Sequence, residues 1–171
     1  MNAAQRRAAI SAFLHEQSSP VSATALAARF SVSRQIIVGD VALLRAAGED
    51  IAATPRGYAL VRERSGMLRT VACVHRTDEM GRELYLMVDN GCDVLDVVVE
   101  HPVYGQLTGE LQLHSRYDVD QFLRRVAEHG AKPLSDLTDG IHLHTLRCPD
   151  EAAYRRVLDE LKAAGFLLAD G

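Results

Sequence analysis

Two histidines stand two residues apart in an apolar stretch, His142 and His144 in "GIHLHT" (residues 140–145). Ile141, Leu143 and Leu146 interleave with them, the alternation of a short strand in which residues i and i+2 share a face. Two imidazoles then project side by side, and neutral imidazole is the commonest metal ligand among side chains. A polar strand face with two solvated histidines has the same pattern, so further donors must decide. His75 ends an apolar run, "RTVACVH" (69–75), and Glu83 follows eight residues later in a helical pattern. A strand-end imidazole and a carboxylate on the next helix can converge with the His-x-His pair. Three imidazoles and one carboxylate suit zinc, nickel, iron or copper, not calcium or magnesium. In the competing arrangement His75 caps its strand and Glu83 pairs with Arg76 or Arg82.

The elements that must position these donors can be read around them. Strands are predicted at 69–75, 92–100, 107–115 and 141–148, with "FLL" (166–168) as a last short one. Helices are predicted over 78–90, with Leu84, Met87 and Val88 inward and Gly91 as its stop. Two more follow, over 118–129, capped by Asp118 or Ser115, and after Pro149, placed near the first helical position. "PLSDLTDG" reads as a loop. The order β-α-β-β-α-β-α implies an α+β layer, one mostly antiparallel sheet with helices on a face. His15, His114 and His129 fall outside the donor pattern and read as surface residues.

The first third of the chain has a different character. Ile10, Phe13 and Leu14 mark a helix over 4–16, and Leu26 and Phe30 a second one beginning near Ser22. Ser31 and Val32 make a tight turn, and Ser33 is a good N-cap for a third helix. That helix buries Ile37, Val41 and Leu44 and presents Arg34, Gln35, Val38 and Arg45. Gly39 within it costs about 1 kcal/mol relative to alanine and has no explanation in the sequence. Strands at 51–53 and 58–60 flank the turn Thr54-Pro55-Arg56-Gly57. Three short helices and a hairpin tipped by arginine make a winged helix-turn-helix. Arg34 and Gln35 lie in the first turn of the third helix, from which base edges are reached. Arginine prefers guanine and glutamine prefers adenine. Arg45 and Arg56 are placed to neutralise phosphates, with the minor groove a second option for Arg56.

Composition sets the bounds. The 171 residues are 47% hydrophobic and 25% charged, as in globular proteins with real cores. No apolar run reaches the length of a membrane span, and no basic segment leads into a long apolar one, so a cytoplasmic location is expected. Cys73, Cys92 and Cys148 form no C-x-x-C and read as reduced core thiols. The net charge of −4 hides an asymmetry: residues 1–64 carry +3 and residues 65–171 carry −7. A basic part joined to an acidic one implies two tasks, with the boundary in "RERSGM" (62–67). The expected domains are 1–62 and 68–171.

The stretch "LAARFSVSRQIIVGDVALLR" followed by "IAATPRGYAL" resembles the winged helix of biotin-repressor-type bacterial regulators. "VH" at 74–75 with Glu83, "VLDVVVEHPVYGQLTGEL" (94–111), "PLSDLTDGIHLHTL" (133–146) and "GFLL" resemble the three-histidine domain. In bacterial niacin-responsive repressors that domain follows a winged helix. The resemblance covers nearly the whole chain in the right order. It implies a transition metal, zinc, nickel or iron, on His75, Glu83, His142 and His144. It also implies nicotinic acid as the sensed corepressor and control of NAD synthesis or niacin uptake, and because a lone winged helix offers few contacts, a homodimer on double-stranded operator DNA is expected. Ser33, Arg34, Gln35, Arg45 and Arg56 are the expected DNA-contacting residues. "HPVYG" (101–105) matches the family too, and His101 and Tyr104 are candidates for the effector pocket: an imidazole for a carboxylate, a phenol to stack on a pyridine. The same residues can form a purely structural turn. The competing function is a metal-dependent enzyme acting on a small carboxylate, with the winged helix as an accessory.

Overall fold

In the computed structural model, which describes residues 1–61 and 65–168, the chain divides into two units, Met1–Glu63 and Arg64–Gly171. The first part of the expected boundary, residues 62–64, lies outside the described residues.

The first unit contains α1 (Ala3–Glu16), α2 (Ala23–Phe30), α3 (Arg34–Ala46) and a hairpin of β1 (Ile51–Thr54) and β2 (Gly57–Leu60). Each helix begins where a polar side chain takes up a free backbone N–H. Asn2 accepts from Gln5, Ser22 from Ala25 and Ser33 from Ile36. Ser31 turns the chain between α2 and α3 in the left-handed conformation, φ 54°. Ile10, Leu14, Leu26, Ile37, Val41, Leu44 and Ile51 form the core. Two features were not legible. Asp40 is buried on α3 and receives Arg6 from α1 at 2.6 and 3.3 Å, so part of the basic charge is consumed inside the unit. Val21 pairs with Tyr58 through two 2.9 Å backbone bonds, adding an antiparallel bridge to the hairpin. Gly57 permits it: φ is 131°, and a Cβ there would lie 2.3 Å from the Val21 carbonyl oxygen.

The second unit is a four-stranded antiparallel sheet in the order β3-β6-β4-β5, formed by β3 (Met67–Val74), β4 (Asp93–His101), β5 (Gly105–Leu113) and β6 (Ile141–Cys148). Helices α4 (Met80–Asp89), α5 (Arg116–Glu128) and α6 (Glu151–Ala164) share one apolar cluster with the strands. The α+β expectation holds. The "FLL" segment lies beside β3, bridged through Cys73 and Leu167. Differences are local. A 3-10 turn, Thr77–Glu79, precedes α4, and another, Leu134–Thr138, occupies the expected loop. Ser115 caps α5, while Asp118 reaches back to the His114 N–H at 2.8 Å. Asp150 caps α6, so Pro149 precedes the cap instead of sitting inside the helix. His114 is half-buried beside Asp93, not on the surface.

Candidate metal centre and nucleic-acid interface

Antiparallel pairing sets Val71 opposite His144 and Cys73 opposite His142. Alternation then places Val71, Cys73, His142 and His144 on the buried face, and His75 continues the β3 series. The face meets α4, whose inward residues are Glu83, Leu84, Met87 and Val88. Glu83 is fully buried, and three imidazoles converge on it. His75 Nε2 lies 2.7 Å and His144 Nε2 3.3 Å from its Oε2, with His142 Nε2 3.0 Å from Oε1. The rings of His75 and His142, and of His142 and His144, meet edge-on at 4.8 Å, and Phe166 packs against His75 at 5.5 Å. Neither arginine of the competing arrangement takes Glu83: Arg76 pairs with Asp78 at 3.5 Å, and Arg82 lies over the Phe166 ring.

The other ring nitrogens decide what the cluster can hold. His75 Nδ1 lies 2.7 Å from the Arg76 carbonyl oxygen, His142 Nδ1 2.8 Å from that of Gly140 and His144 Nδ1 2.6 Å from that of Asp96. A carbonyl only accepts, so each Nδ1 keeps its proton and donates it. Each Nε2 is then a lone pair aimed at a carboxylate, which also only accepts. Such a face repels itself unless a cation lies between. Protons on all three Nε2 atoms would bury three imidazoliums round one carboxylate, and each buried ion costs several kcal/mol of desolvation. A divalent transition ion satisfies the four side chains together, with the carbonyls acting as the outer partners that orient ligating histidines. The residues present therefore fit such an ion.

Without a metal, burial opposes the charged forms, but Glu83 outweighs it at His75 and His144, and the neighbouring rings outweigh it at Glu83. The pKa values of His75 and His144 are raised by Glu83 above the ordinary imidazole range. The Glu83 carboxyl is held well below the ordinary carboxylate range by the charge of His144 and by hydrogen bonds from all three rings. Two local devices aim the histidines. Gly140 has φ +90°, and a Cβ on it would lie 2.4 Å from the His75 carbonyl oxygen. The register of β4 against β6 breaks between Val94 and Val98. Asp96, inside that break, gives its carbonyl to His144 and its carboxylate to the Thr145 N–H at 2.9 Å.

The sequence marks Cys73 as a core thiol only. Its Sγ, a Glu83 oxygen and a His142 ring nitrogen lie within 4.8 Å of one another. Burial and then the charge of Glu83 push this thiol up in pKa. The signal was present: Cys73 and His75 stand two apart, as His142 and His144 do.

A cleft of about 950 Å³ borders the centre, lined by His75, Arg76, Thr77, Lys132, Asp136 and Gly140 among others. His101 and Tyr104 do not line it. They form the β4–β5 turn, with His101 Nδ1 accepting the N–H groups of Val103 and Tyr104 at 3.1 and 3.2 Å. Tyr104 is 74% exposed.

In the first unit, Arg34, Gln35 and Arg45 are exposed on α3, and Ser33 caps it. Arg34 stands at the positive end of the helix dipole with no acid in that turn, an unfavourable place for stability. Gly39 is exposed, and a Cβ there would meet nothing. Internal packing thus does not require the glycine. Arg56 lies half-buried at the hairpin turn.

A winged helix-turn-helix with an exposed polar face, in a chain with a second unit enclosing a buried histidine–glutamate cluster, defines a DNA-binding regulator. Comparison with known families agrees: residues 6–59 match an HTH domain and residues 68–170 a 3H domain. The chain is 43% identical over 167 residues to the "Probable transcription repressor NiaR" of Thermotoga maritima, covering 98% of this chain and 95% of the relative. It is 41% identical over 171 residues to the transcription repressor NadR of Bacillus subtilis, with the same coverage. The chain belongs to this family of NiaR/NadR-type transcription repressors. Membership makes it a regulator and not an enzyme. Among the described residues no helix is long and apolar enough to cross a membrane.

Proposed function

We propose that the chain is a niacin-responsive repressor. It binds operator DNA through α3 and the wing, and uses nicotinic acid as corepressor through a metal held by His75, Glu83, His142 and His144. The observation that carries the reading is the orientation of the three rings, each with Nδ1 tied to a carbonyl and Nε2 turned to the buried carboxylate. A bound metal supplies a Lewis-acidic position for a pyridine nitrogen or a water. The effector is assigned to the metal and the cleft beside it, where Arg76 and Lys132 stand against Asp78, Asp136 and Asp139, with His101 and Tyr104 the further candidates for its carboxylate and its ring.

On the DNA side, Arg34 and Gln35 read base edges, Arg45 and Arg56 neutralise phosphates, and Ser33 holds the first turn of α3. Gly39 lets the helix backbone approach the groove closely. One recognition helix contacts few bases, so a homodimer on a pseudo-palindrome is the working form, acting in the cytoplasm on genes of NAD synthesis or niacin uptake. Domain limits of 1–62 and 68–171 fit this division of labour.

The test is a mobility shift on the promoter region of the protein's own gene, with metal-loaded and chelator-stripped protein, with and without nicotinic acid. Tighter binding with nicotinic acid, only in the metal-loaded protein, is expected. Equal affinity with and without nicotinic acid in the metal-loaded protein would overturn the corepressor reading.

A further inference from the structure

Three neutral imidazoles and one carboxylate leave a divalent ion with a net positive charge in a core lined by Val71, Leu84 and Phe166. An uncompensated buried charge is costly. Cys73 stands at the place where a second anion would cancel it. It is fully buried and directly opposite His142, and its Sγ lies within 4.8 Å of a Glu83 oxygen and a His142 ring nitrogen. Two donors on one ion at about 2.0–2.3 Å each lie no more than about 4.5 Å apart. The separations among Cys73, Glu83 and His142, all within 4.8 Å, come close to that limit before any adjustment of rotamers. Packing alone does not call for sulfur here, since a valine fills similar space and leaves no polar atom against the carboxylate. The other two cysteines differ: Cys92 and Cys148 are buried against each other, Sγ to Sγ 2.9 Å.

We propose that Cys73 is a thiolate ligand of the metal centre. It adds sulfur to the nitrogen and oxygen donors and biases the site towards zinc and other thiophilic transition ions over manganese or magnesium. On binding, the S–H bond breaks as the sulfur–metal bond forms, and the proton leaves to solvent. The result is a neutral buried centre of one divalent cation, one thiolate, one carboxylate and three neutral imidazoles. The inference rests on the metal-centre reading above.

The test is cobalt(II) titration of the full chain after chelator treatment, followed by absorption spectroscopy and by equilibrium dialysis. Wild type should bind cobalt and develop an intense thiolate-to-cobalt charge-transfer band in the near ultraviolet. Cys73→Ser and Cys73→Val should lose that band but keep the weaker visible transitions of a histidine-bound ion. Cys92→Ala and Cys148→Ala should keep it. Cys73→Ser, the closest in size, serves if the valine variant does not fold. Zinc affinity should fall by at least about tenfold in Cys73→Ser, and by more than manganese affinity does. Cobalt bound without the band, or a band that survives in Cys73→Ser, overturns the thiolate assignment alone. No cobalt bound to wild type overturns the metal-centre reading with it.

Discussion

A methyl group on Gly140 would lie 2.4 Å from the His75 carbonyl oxygen, in a backbone conformation that L side chains rarely adopt. The same residue supplies the carbonyl that orients His142. Gly140→Ala should therefore cost more than the roughly 1 kcal/mol expected of positive φ alone, and it should lower metal affinity as well. Gly130→Ala is the control, with φ +56° and open space round its Cβ. Urea unfolding and metal titration of both variants check this; equal losses in the two would show that the close approach to His75 is unimportant. The titrating side chains give a second expectation. His75 and His144 have raised pKa values, so in metal-free protein their stabilisation is complete below about pH 6.5 and lost as pH rises through the folded values. Glu83 is lowered, so its stabilisation is present above about pH 4.3 and lost as pH falls. Metal-free protein should be most stable between those limits. Metal needs unprotonated imidazoles, so its added stabilisation should grow with pH. Urea midpoints at pH 5.5 and 8.5, with and without zinc, measure both trends, and a metal effect larger at pH 5.5 would contradict the donor assignment.

At the scale of the element, α3 carries two separable properties. Its buried stripe of Ile37, Val41 and Leu44 holds the unit together, while its exposed face carries Arg34, Gln35 and Gly39. Gly39→Ala should stabilise the protein by about 1 kcal/mol, because the helix gains propensity and the new Cβ meets nothing. Gly39→Leu should fold as well yet weaken operator binding, since the bulk stands between helix and groove. Arg34→Ala should relax base preference by about 1–3 kcal/mol at one position with no loss of thermal stability. Melting curves beside binding to operator variants separate these effects. Normal operator affinity in Gly39→Leu would remove the groove from that face.

At the scale of the whole molecule, corepression is a coupling between two ligands and is reciprocal. A coupling of about 1–3 kcal/mol changes operator affinity roughly 5–150-fold, and DNA must tighten nicotinic acid binding by the same factor. Calorimetric titration of nicotinic acid into the metal-loaded protein, free and operator-bound, tests this. Equal affinities in the two titrations would leave repression without an effector switch of this kind.

Much of the fold is local and therefore legible in one dimension. The N-caps Ser22 and Ser33, the i, i+4, i+7 spacing of Ile37, Val41 and Leu44, and the alternation in "GIHLHT" each act within a few residues. They place the helices and strands of both units and set His142 beside His144. The long-range choices had no such signal. Nothing local says that β3 pairs with β6 in the register that sets Cys73 opposite His142. Nor does local pattern break the β4–β6 ladder at Asp96, or draw Arg6 onto Asp40 across 34 residues. Strand register and side-chain convergence are settled by burial of whole faces at once. For that reason the sequence by itself could single out His75, Glu83, His142 and His144, while only the tertiary structure decided that the three rings converge on the carboxylate and that Cys73 stands beside them.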